Sequence, residues 1–197
     1  MSKKIMILGA NTLQIPLIET AKKMGFTTVV VSPVKSEAGH SIADISEICD
    51  IKDEDALLAC AQRHQISGII TDQTDIAVRS VAYVAEKMGL PGIGYETACL
   101  FTDKFRMREK CKELGIPILK YKMVRSLDEA LGFFEELGGH AILKPVDNQG
   151  SKGVSFIDTK EKMIERFTEA MFYSKQKEVL VEQVAHGREF VVEGLAM

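Results

Sequence analysis

From Lys4 to Gly9 the run KIMILG is apolar without a break and ends in glycine. That pattern predicts a strand buried on both faces of a parallel sheet. Leu13, Leu17, Ala21 and Met24 then recur at helical spacing up to Gly25, which predicts a helix closed by a C-cap glycine. Phe26 to Val31 predicts the next strand, followed by a short strand near 48–51, a helix over about 53–64, a strand over 68–71 and a helix over about 76–88 stopped by Gly89. Strand and helix in strict alternation mean βαβ units and a parallel, doubly wound sheet. Pro91, Gly92 and Gly94 then cluster as turn residues and place a domain boundary near 92–97.

Beyond that boundary the pattern loosens into α+β. A helix is predicted from Thr97 to Leu114, with Gly115 as its stop and Pro117 just beyond. Strands follow near Lys120–Val124 and Ala141–Lys144, separated by a helix over about 126–137 that opens with the capping box Ser126 to Glu129. A Gly-rich turn, a strand near 154–158, a helix over 159–172, the strand Val179–Gln183 and a strand near 189–195 complete the reading. The closing segment EFVVEGLAM is apolar and alternating but has nothing after it to pair with. Complete domains avoid such an edge, so a truncated chain is expected.

Composition removes several classes of function. The chain's 25 basic and 28 acidic residues give a net charge of -3 and no basic footprint, which argues against nucleic acid as a partner. Cys49, Cys60, Cys99 and Cys111 form no CxxC pair, and the N-terminus lacks the apolar run of a signal peptide. A reduced, cytoplasmic protein is expected. No stretch approaches the roughly 20 apolar residues of a membrane span. Small molecules are the expected partners.

The chemistry concentrates in ILKPVDNQGSKGV, Ile142 to Val154. A strand delivers Lys144 at its end, and a turn with Gly150, Ser151 and Gly153 follows. Glycines let backbone N–H groups approach an anion, the serine adds a donor, and Lys144 and Lys152 supply charge, a combination suited to a triphosphate. A plain hairpin with a solvated Lys152 is the competing reading. In the first half, GANTLQ (Gly9 to Gln14) and TDQTD (Thr71 to Asp75) fall at strand ends, where open α/β sheets bind ligands. Asp72 and Asp75 are therefore candidates for a substrate group, with helix capping by a Thr or Asp as the alternative. GANTLQ has only one of the three glycines of GxGxxG, which leaves a dinucleotide reading weak.

The segments TDKFRMREKCKELGIP (Thr102 to Pro117), AILKPVDNQGSKGV (Ala141 to Val154) and VLVEQVAHGREFVVEG (Val179 to Gly194) occur in an order and spacing that resemble the ATP-grasp superfamily. The resemblance implies an α/β, doubly wound parallel-sheet pre-ATP-grasp domain over 1–95, followed by a partial ATP-grasp domain over 96–197. The latter would comprise a linking helix over 97–115, an α+β N-lobe over 117–180 and the start of a truncated C-terminal lobe over 181–197. By the same resemblance Lys104 and Lys144 would meet ATP phosphates, and Gly150, Ser151, Lys152 and Gly153 would form the loop over them. Glu182, Gln183 and Val184 would hold the adenine and Glu189 the ribose, and Asn11, Thr12 and Leu13 would line the substrate cleft.

The implied activity is that of a ligase: ATP activates a carboxylate as an acylphosphate, and an amine or other nucleophile displaces phosphate. KPVDNQGSKGV looks nearer to the amino-acid ligase and carbamoyl-phosphate synthase types than to others. Magnesium is the implied metal, with its ligands expected beyond residue 197, so this chain alone is expected to be inactive. No catalytic residue is assigned. A homodimer is a family-level expectation. The alternatives are a non-catalytic nucleotide-binding or regulatory module and, from the first half alone, an NAD-dependent oxidoreductase.

Overall fold

The computed structural model describes residues 2–146, 152–188 and 190. The chain divides into two compact units, one up to Asp103 and one from Lys104.

In the first unit, β1 (Lys4–Leu8), β2 (Thr27–Ser32), β3 (Ile45–Ile48) and β4 (Gly68–Ile70) form a parallel sheet in the order β3-β2-β1-β4. The register sets Ile7 beside Val30 on one side and Ile70 on the other. Helices α1 (Ile15–Lys23), α2 (Gly39–Ile42), α3 (Glu54–His64), α4 (Val78–Met88) and α5 (Tyr95–Phe101) accompany it. Alternation explains why β1 reads as continuously apolar: Met6 and Leu8 join Leu57, Cys60, Val84 and Ala85 in one core, while Ile7 joins Ile18, Ala21 and Val30 in another.

The second unit holds α6 (Lys104–Glu113), β5 (Tyr121–Val124), α7 (Leu127–Glu136), β6 (Ala141–Pro145), β7 (Ser155–Ile157), α8 (Lys160–Tyr173) and β8 (Val179–Gln183). Its sheet is antiparallel, in the order β5-β8-β6-β7, so β8 lies inside it between β5 and β6. Ala141 and Leu143 of β6 and Val179 and Val181 of β8 pack with Phe133 and Phe134 of α7 and Met163 and Phe167 of α8.

Local chemistry sets the helix starts. The Ser126 hydroxyl accepts from the Glu129 N–H at 3.2 Å, and Thr159 caps α8 in the same way. The Glu129 carboxylate reaches back to the Arg125 N–H at 2.8 Å, one residue before the expected capping-box partner. Ser126→Ala should lower the unfolding free energy by about 1 kcal/mol in a urea titration.

Two expectations move. The helix expected over 97–114 is two helices, α5 and α6, because the chain breaks at Thr102 and Asp103. Thr102 turns its hydroxyl onto the Ala98 carbonyl at 2.8 Å, and the Lys104 N–H donates to Val146 at 3.3 Å. β3 comes earlier than the expected 48–51, since Asp50 instead accepts from the Lys52 N–H and turns the chain. The short α2 had no periodic signal. The strand expected near 189–195 lies outside the described residues, Phe190 apart.

Candidate functional site

The antiparallel sheet sends alternate side chains to opposite faces. Leu143 and Val181 enter the core under α7 and α8, so Lys144 and Glu182 point the other way. Lys144 is registered with Leu180, two residues from Glu182 on β8, a diagonal that a lysine spans. Its Nζ ion-pairs with Glu182 Oε2. From α6, Arg108 Nε donates to Glu182 Oε1 at 2.8 Å. The same helix packs Phe105 against Tyr121, with ring centroids 6.2 Å apart, and the Tyr121 hydroxyl donates to Glu109 at 2.5 Å. Burial and the neighbouring Glu109 push the Tyr121 phenol up to about 12. Lys104 opens α6, one helical turn before Arg108.

Lys144 and Glu182 are thus gathered on one face with Arg108, which the sequence reading missed, and Lys104 lies one turn earlier on the same helix. Its i+4 spacing from Lys104 was the available signal. Glu182 is only 4% exposed. The Gln183 backbone N–H is taken by the Lys120 carbonyl at 2.8 Å, and Val184 is half-buried. Lys152 is exposed, and Gly153 adopts φ +74° where a Cβ would meet Pro145 at 2.9 Å. Gly150, Ser151 and Glu189 lie outside the described residues.

The first unit holds a second arrangement. β1 and β4 are neighbours at the point where the sheet's connections diverge, and Thr71 donates to the Leu8 carbonyl at 2.8 Å to tie their ends. A cleft of about 430 Å³ opens there, lined by Thr71, Asp72, Gln73, Thr74, Asp75 and Val78. Behind it Gln14 is fully buried and donates to the Asp72 carbonyl at 2.8 Å. Gln14 Oε1 and Asp72 Oδ1 are buried with no partner among the described residues. Gly9, at φ +102°, has no room for a Cβ, which would lie 3.1 Å from Gln14.

Asn11 spends its side-chain oxygen on the Leu13 N–H at 2.8 Å, while Thr12 and Leu13 are exposed. Thr74 makes no side-chain cap bond, and Asp75 is exposed at the start of a single 3-10 turn, Asp75–Ala77. Gln14 was missed: a glutamine among polar loop residues gives no sign that it will be buried.

Among the described residues one group of metal-type donors gathers, Glu47, Cys60 and His64. Glu47 is already held by His64 at 2.5 Å and Arg63 at 2.9 Å. The His64 hydrogen bond, aided by Arg63, keeps the Glu47 carboxyl below its usual range, against the opposing effect of burial. A lowered folded-state pKa adds stability that is present above the usual glutamate pKa and is lost as pH falls through the folded value. Glu47→Gln should therefore destabilise the protein at about pH 7 and make little difference at about pH 3, as read by chemical denaturation. Burial pushes the Cys60 thiol up.

No helix among the described residues is long and apolar enough to cross a membrane.

The family model of the phosphoribosylglycinamide synthetase ATP-grasp (A) domain matches residues 102–197. A formate-dependent phosphoribosylglycinamide formyltransferase from Wolinella succinogenes is 26% identical over 170 residues, which are 86% of this chain and 44% of that protein. The crystal structure of phosphoribosylglycinamide synthetase from Anaerococcus prevotii superposes with a TM-score of 0.69 at 26% identity, covering 95% of this chain and 47% of that one. The biotin carboxylase domain dimer of Hydrogenobacter thermophilus 2-oxoglutarate carboxylase, in complex with MgADP, ADP and bicarbonate, gives a TM-score of 0.79 at 18% identity, over 93% and 44%. The chain spans about half the length of the proteins it matches. Residues 102–197 thus match an ATP-grasp domain, and in this chain a parallel-sheet unit precedes it.

Proposed function

We propose that the chain binds ATP on the α6 side of its antiparallel sheet and serves the ATP-dependent activation of a small carboxylate as an acylphosphate, which an amine then attacks. The observation that carries this is the cluster of Lys144 and Arg108 on the single carboxylate of Glu182, with Lys104 one turn away on α6. Two cations on one anion leave positive charge in excess, which a phosphate can use. Such transfer needs little covalent chemistry from the protein; placing the phosphates and neutralising their charge does most of the work. Gly150, Ser151, Lys152 and Gly153 are proposed to cover the phosphates, Glu182 to Val184 to border the adenine and Glu189 to meet the ribose. Magnesium would help neutralise the phosphate charge, and no described residue is assigned to hold it.

The cleft of the first unit supports a place for the nucleophile. Among the described residues Gln14 Oε1 and Asp72 Oδ1 find no donor, and an ammonium or amide group would supply one. Formate is the first carboxylate to assay, because relatives of this chain are named formate-dependent; carboxylates of amino-acid type and carbamate-forming bicarbonate come next. The biotin carboxylase neighbour is described as a dimer, so self-association is part of the reading.

Calorimetry of the purified chain with ATP, with and without magnesium, tests it. ATP binding that NADH does not compete away supports the proposal. Binding of NADH in preference to ATP would overturn it. In a longer protein that carries a whole ATP-grasp domain, ATP binding without ADP release across the carboxylates, in the presence of an amine, would favour a nucleotide-binding module instead.

A further inference from the structure

Glu182 presents a small puzzle of charge. Its side chain is almost fully buried, yet it engages two cations, one per oxygen: Lys144 on Oε2 and Arg108 on Oε1. One cation would neutralise it, and bringing a second partly out of water is costly. The excess makes sense if one of the two has to leave.

We propose that Arg108 is a positioning residue that keeps Glu182 compensated while Lys144 turns from Glu182 to a nucleotide phosphate. This rests on the nucleotide reading given above. The two side chains suit the two tasks. Lysine is a compact ammonium with three rotatable donors on a flexible stem, able to exchange one oxygen for another. Arginine is a permanently charged planar fork that holds a geometry. Because each uses its own carboxylate oxygen, Lys144 can depart without disturbing the Arg108 bond. Without Arg108, the departing lysine would leave a buried carboxylate with no counter-charge, and nucleotide affinity would fall by that penalty. Arg108 touches no phosphate in this account; it acts through Glu182.

The test is a set of ATP titrations by calorimetry on the full chain, with circular dichroism to confirm folding. Arg108→Gln should weaken ATP binding about tenfold, and Arg108→Lys, which keeps a cation, should recover most of the loss. In a Glu182→Gln background, Arg108→Gln should cost less than about twofold, since no buried charge remains to be held. Lys144→Ala separates the two ideas. If it weakens binding while Arg108→Gln binds like the wild type, the inference fails and the nucleotide reading stands. An equal loss from Arg108→Gln with and without Glu182 also overturns the inference, because Arg108 would then act elsewhere. If Lys144→Ala leaves affinity unchanged, the nucleotide reading falls and the inference falls with it. If Arg108→Gln does not fold, the Arg108→Lys and Glu182→Gln titrations still decide: the proposal requires near-native affinity from Arg108→Lys, and a tenfold loss there defeats it.

Discussion

Lys144→Ala is expected to weaken ATP binding by more than tenfold, since a hydrogen bond to a charged group is worth about 1.5–3 kcal/mol. Part of that worth is already spent in the free protein, where Lys144 lies against Glu182. The trade still favours the nucleotide, because the phosphates carry more charge than one carboxylate and Glu182 retains Arg108. The fold should survive the substitution for the same reason. Isothermal titration with ATP gives the affinity, and thermal unfolding gives the control. An affinity equal to that of the wild type would remove Lys144 from the nucleotide site.

Leu143→Ala should do the reverse. Leu143 is the preceding residue on β6, fully buried and clustered with Phe133, Met163 and Val181 on the opposite face. Truncating a buried leucine costs about 2–5 kcal/mol, through lost transfer energy and the cavity left behind. Denaturant unfolding should show that loss, while ATP affinity measured well below the transition should stay close to native. Two adjacent residues would thus give opposite phenotypes. If Leu143→Ala were the one to lose affinity with its stability intact, the assignment of the two faces would be wrong.

The alternation of strand faces is what made much of this legible beforehand. Unbroken apolar runs marked strands covered on both sides, as in KIMILG. Ser126 and Thr159 announced their helices because a hydroxyl at the N-cap satisfies an otherwise orphaned N–H. The break between α5 and α6 was missed although Thr102-Asp103 immediately before Lys104 is an N-terminal signal; the surrounding periodicity hid it.

The site was only half legible. Lys104 and Lys144 stood out by the segments that surround them. The partnership of Arg108 with Glu182 depends on how α6 lies over β8, and the two residues are 74 positions apart in sequence. Gln14 was invisible for a related reason: its burial follows from the close approach of the Gly9 loop to the end of β4, which no local pattern encodes.

The interior place of β8 carries a consequence for how the chain comes together as it is made. β5 and β6 do not pair with each other; Val124 is registered with Val179, and so is Pro145. During synthesis, two strands of the second unit therefore emerge with exposed edges and wait for Val179–Gln183 to fill the gap between them. Non-local pairing of this kind is slow, and unfilled edges invite wrong partners. The parallel sheet of the first unit is complete once β4 has left the ribosome, so it can stand folded while its neighbour waits. Nascent chains halted before residue 179 should accordingly protect the first unit from protease and leave the second open to it.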